Sequence, residues 1–141
     1  MDEQQKQIAV QELLNQPILA RLATANPKTL QPHVVPVWFW WDGTTVWISA
    51  FSSTRKVKDL EKNRRCAVLI EPPNPQDGGL QGVLFEGVAE LISGEGVAEL
   101  SGRIYARYVG EEGLKAPDVA SWMVDPENRI IKLTPEKIRA W

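Results

Sequence analysis

A chain of 141 residues is long enough for one hydrophobic core, and 43% hydrophobic with 24% charged residues is a globular composition, not a disordered one. The formal net charge of -2 argues against a nucleic-acid or membrane-surface binder, and no apolar run approaches the roughly 18 residues of a membrane span. One cysteine, Cys66, excludes an internal disulfide, and with a single histidine, His33, it leaves too few ligands for a zinc site.

Residues 2–16 place Ile8, Ala9, Leu13 and Leu14 near one face, which predicts a short amphipathic helix ended by Pro17. ILARLATA (18–25) reads as a strand and NPKT (26–29) as a turn. A second strand is expected through QPHVVPVWFWW (31–41), followed by a hairpin turn at DGT (42–44) and a third strand at TVWISAF (45–51). Pro32 and Pro36 donate no ladder hydrogen bond, so the second strand should be an edge, a bulge or a split in the sheet. SSTRKVKDLEKN (52–63) reads as a short helix capped by Ser or Thr.

CAVLIE (66–71) and GVLFEGVAELI (82–92) are the fourth and fifth strands, the latter broken by a bulge at Gly87. SGEGVAELSGRIYARYV (93–109) has Val97, Leu100, Ile104 and Tyr108 at helical spacing. Residues 110–128 read as irregular, with one helical turn near Val119. RIIKLTP (129–135) is a sixth strand and KIRAW (137–141) a short terminal one. Hairpin-linked strands with short helices between them predict a mainly β (α+β) chain: a six-stranded antiparallel barrel with short flanking helices, one domain over residues 1–141. The polar N-terminus lacks a signal-peptide pattern and the lone cysteine suits a reducing compartment, so a cytoplasmic location is expected.

The chemistry concentrates in Ser52-Ser53-Thr54-Arg55-Lys56. A phosphate monoester needs donors on several oxygens and neutralising charge, which hydroxyls, helix first-turn N–H groups, Arg55 and Lys56 together supply. The bland alternative is ordinary capping with surface cations. Cations at a helix N-terminus oppose the macrodipole, however, and that misfit favours a missing anion. No GxSxG, HExxH or GxxxxGKS pattern is present, and no side chain stands out as a general acid or base. Six tryptophans, four of them within residues 38–47, suit a core, an interface or stacking on a flat ligand.

These segments resemble the pyridoxamine 5'-phosphate oxidase-like family, the FMN-binding split β-barrels. The likeness lies in residues 20–49, 53–71 and 129–141, through P-x-V-x-P-V-W, DG and S-x-x-R-K-x-x-x-L-x-x-N-x-R in order, with FEGVAEL (85–91) fitting the strand that follows. The resemblance implies a homodimer with cofactor sites at the subunit interface and a small-molecule substrate. It implies that the backbone of Val35, Pro36, Val37 and Trp38 lies against the flavin ring. Ser49 would sit near ring or phosphate, while Ser53 or Thr54, Arg55 and Lys56 would hold the phosphate. Val35 and Trp40 fall where the vitamin-forming oxidase has Arg and Lys, and IRAW lacks its C-terminal Arg/His motif. The resemblance therefore implies an FMN or deazaflavin oxidoreductase that does not form pyridoxal phosphate. A flavin or haem carrier without turnover is the alternative.

Overall fold

A computed structural model describes residues 1–141. The chain folds in the order α1 (Glu3–Leu14), β1 (Ala20–Ala25), β2 (Pro32–Val37), β3 (Trp40–Trp41), β4 (Val46–Phe51), α2 (Arg55–Lys62), β5 (Arg65–Ile70), β6 (Val83–Ile92), α3 (Val97–Gly113), α4 (Pro117–Val124) and β7 (Asn128–Ala140). All seven strands form one antiparallel sheet in the order β2-β1-β5-β6-β7-β4-β3. The two edge strands, β2 and β3, are separated in sequence by Trp38 and Phe39 alone. Two residues span at most about 11 Å between the flanking Cα atoms, so the sheet must curl until its edges nearly meet. The result is a split barrel.

Seven strands replace the expected six because residues 31–41 do not form one strand. At Trp38–Phe39 the chain leaves one edge and joins the other, and the Phe39 backbone is held by side chains. Its N–H donates to the Tyr108 hydroxyl at 3.0 Å, and its carbonyl accepts from Arg107. Pro32 and Pro36 lie on β2, which pairs with β1 alone, as their missing donors require. The expected sixth and terminal strands are instead one, β7. Glu86 pairs with Lys137 and Gly87 with Pro135, so the break falls at Gly87 as expected, but the extra residue, Glu136, belongs to β7. Residues 110–128 are more regular than expected: α4 starts with Pro117 in its first turn, a position that tolerates the missing N–H.

The barrel interior holds Leu22, Phe39, Ile48, Val68, Ile70, Phe85, Ile131 and Leu133, and α2 contributes Val57 and Leu60. A second, smaller core lies outside the barrel, where α3 and α4 pack on β7 with Val97, Ile104, Tyr105, Val119 and Ile130. Neighbouring Ile130 and Ile131 are both fully buried yet belong to different cores, because successive side chains of a strand point to opposite faces. The same alternation turns Trp47, Ser49 and Phe51 of β4 outward, toward the side carrying the helices. On α3 the inward stripe is Val97, Ser101, Ile104 and Tyr105, so Leu100 and Tyr108 sit at its margin. No helix is long and apolar enough to cross a membrane.

Candidate functional site

At the split, between β2, β4, α2 and the outer helical layer, lies a cavity of about 360 Å³. Its wall is Pro36 and Val37 from β2, Trp38 from the crossover, Ser49, Ala50 and Phe51 from β4, Thr54 and Lys56 at the start of α2, Tyr105, Trp122 and Asn128. Of the residues nominated from sequence, Pro36, Val37, Trp38, Ser49, Thr54 and Lys56 meet here. Val35, Ser53 and Arg55 are not in the wall: Val35 packs on the interior core, and Ser53 is exposed.

The start of α2 departs from the expected cap. Thr54 occupies the N-cap position but accepts nothing from the first turn; its hydroxyl donates to the Phe51 carbonyl at 2.7 Å. The Arg55, Lys56 and Val57 N–H groups thus have no partner within the chain, and no acidic residue stands in the first turn. The two cations differ in what they face. Arg55 Nε lies 3.7 Å from the buried Asp59 carboxylate, which also accepts from the Thr24 hydroxyl at 3.0 Å. Lys56 is half-buried in the cavity wall and makes no ion pair, and burial pushes its ammonium below the ordinary lysine pKa.

The opposite part of the wall is a closed polar network. Ser49 Oγ lies 2.8 Å from the Tyr105 hydroxyl and donates to Asn128 Oδ1 at 2.8 Å; Asn128 Nδ2 donates to Ser101 Oγ at 2.8 Å, and Ser101 Oγ reaches Ser49 at 3.3 Å. Aromatic rings frame the space between. Trp38 stacks on Tyr108 with 4.6 Å between centroids and 4° between planes, and Tyr105 meets both Trp38 and Trp122 edge-on. Trp141 packs on Gly82, away from this wall.

Tyr105 and Asn128 went unnoticed in sequence because they come from α3 and the start of β7, far along the chain from the Ser-Thr-Arg-Lys segment. A signal existed. Ser101 and Tyr105 put two hydroxyls four residues apart on the stripe that carries Val97 and Ile104.

A family model described as pyridoxamine 5'-phosphate oxidase matches residues 7–141. The chain belongs to the pyridoxamine 5'-phosphate oxidase family. The fold of this family member recurs in solved structures. The conserved hypothetical protein Rv2991 of Mycobacterium tuberculosis shares 27% identity over 100% of this chain and 84% of its own, at TM-score 0.77. A candidate pyridoxamine 5'-phosphate oxidase of Listeria innocua shares 24% identity over 93% and 94% of the two chains, at TM-score 0.69. A protein named F420 reductase shares 22% identity over 92% and 94%, also at TM-score 0.69. No curated protein matches the chain.

Proposed function

We propose that this member of the pyridoxamine 5'-phosphate oxidase family binds a phosphate-bearing flavin, FMN or a deazaflavin relative, and serves as an oxidoreductase on a small molecule. Two copies form a homodimer with the cofactor sites at the interface. Lys56 carries the reading. A half-desolvated cation without an ion pair, beside three free N–H groups at an uncapped helix start, is costly unless an anion comes to it. The aromatic wall of Trp38, Phe51 and Trp122 suits a flat ring, and about 360 Å³ lies within the range of small-molecule sites. Likeness to a protein named F420 reductase supports the deazaflavin alternative.

When bound, the flavin supplies hydride or electron transfer. The chain's own part is binding and orientation. Lys56 and the first-turn N–H groups hold the phosphate, Thr54 fixes the start of α2 through the Phe51 carbonyl, and Ser53 and Arg55 lie nearby at the rim. Pro36, Val37 and Trp38 offer backbone and ring along one side, with Val35 next in line on β2. The tryptophans keep water from the ring faces. Val35 and Trp40 in place of Arg and Lys support a substrate other than pyridoxamine phosphate.

One observation favours a carrier without turnover: the wall holds no carboxylate and no imidazole to move a proton. A haem would find no imidazole, thiolate or thioether there, and the one phenol, Tyr105, is engaged with Ser49. Titration of purified protein with FMN and with a phosphorylated deazaflavin, followed by turnover assays on the bound form, separates these readings. Saturable binding of either with redox turnover is the expected result. Binding without turnover on any acceptor supports the carrier, and no binding of either overturns the flavin reading.

A further inference from the structure

We infer that the Tyr105 phenol oxygen is a hydrogen-bond acceptor for the ligand in the cavity, so that the site selects an N–H donor on the ring it holds. This rests on the flavin reading above and specifies what that site recognises. Asn128 Nδ2 faces Ser101 Oγ at 2.8 Å and the Met123 carbonyl, which can only accept, at 3.4 Å, the orientation that turns its Oδ1 toward Ser49. The single Ser49 proton is therefore engaged with Oδ1 at 2.8 Å. Ser101 receives an Asn128 proton and gives its own to Ser49. Tyr105, 2.8 Å from Ser49 Oγ, can only be the donor in that pair.

Three consequences follow. Ser49 is saturated, with one bond given and two received. Ser101 and Asn128 are 0% and 2% exposed, so water cannot reach them to reset the directions. The Tyr105 proton points into the network, leaving a phenol lone pair as what Tyr105 offers a ligand. The cavity is thus polarised. Lys56 and the free N–H groups of α2 donate at one part of its wall, whereas Tyr105 accepts at another. A second anionic group at Tyr105 would be repelled; a ring N–H would be received. FMN and the deazaflavins share such a donor, the N3–H between two carbonyls.

The test compares FMN with 3-methyl-FMN, or 5-deaza-FMN with its 3-methyl derivative, by equilibrium titration against wild type, Tyr105→Phe and Ser49→Ala. Tyr105→Phe keeps the ring that packs on Trp38 and Trp122. Ser49→Ala keeps the phenol but frees its proton to turn toward the cavity. Methylation should weaken binding to wild type about tenfold, the size of one hydrogen bond, and should matter much less in both variants. Equal discrimination in wild type and Tyr105→Phe overturns the inference, as does equal binding of both ligands to wild type, while leaving the flavin reading standing. Failure of wild type to bind any of the four refutes the flavin reading and this inference with it.

Discussion

Adjacent Arg55 and Lys56 show how one helical step separates two cations. Arg55 reaches forward one turn to Asp59, a carboxylate only 5% exposed, whereas Lys56 turns to the cavity and makes no ion pair. Removing each should therefore act in opposite senses on stability. Arg55→Ala leaves Asp59 with Thr24 as its remaining side-chain partner and should cost about 1 kcal/mol, the upper end for a half-exposed pair. Lys56→Ala removes a desolvated, unpaired charge and should leave the ligand-free protein as stable or slightly more so, the sign expected of a residue kept for binding. Urea unfolding midpoints of the two variants check both signs. Cys66 is a buried free thiol. Burial raises its thiol from 9.0 to about 11. A raised native pKa holds the neutral thiol, so its contribution is complete below pH 9 and disappears as pH climbs toward 11, a loss of roughly 2–3 kcal/mol. The fall in melting temperature between pH 9 and pH 11 should be shallower in Cys66→Ala than in wild type.

Among the elements, β6 and β7 depend on Gly87. A Cβ there would lie 3.1 Å from the Glu136 backbone nitrogen and 3.3 Å from the Thr134 carbonyl oxygen, neither the end of a flexible side chain. Gly87→Ala should cost about 1–3 kcal/mol, as overpacking does, which thermal unfolding measures. This glycine was legible in the sequence because it interrupts an alternating strand, and so were the edge position of Pro32 and Pro36 and the helix beginning near Arg55. Other features were not legible. The strand expected over 31–41 splits because Arg107 and Tyr108, about 70 residues on, take over the hydrogen bonds of Phe39, and no local pattern announces that. Helix α4 was legible only as one turn near Val119, since PDVASWMV buries Val119 alone and so lacks a helical stripe. The Thr54–Lys56 end of the cavity lies within three consecutive residues and could be read directly. Its Tyr105–Asn128 wall is assembled by packing α3 and β7 against β4, a tertiary fact.

At the scale of the molecule, barrel closure and the site share one piece of chain. Trp38 and Phe39 carry it across the split, Tyr108 ties them to the Ile18 carbonyl at 2.8 Å, and Arg107 reaches the Gln16 carbonyl at 2.8 Å below α1. Trp38 thereby gains a fixed position in the cavity wall. Val34, Leu30, Ile138 and Trp141 remain at least half exposed, apolar surface of the kind a second copy would cover. Sedimentation equilibrium should give twice the chain mass of 15.8 kDa; a monomer at all concentrations would remove the proposed interface. The most direct measurement of the central claim is the affinity of wild type and Lys56→Ala for FMN and for riboflavin, which differ by the phosphate. A site built on Lys56 and the free amides of α2 holds FMN well above riboflavin in wild type, with most of that preference gone in Lys56→Ala. Equal affinities for the two flavins in wild type, or a phosphate preference untouched by the substitution, would contradict it.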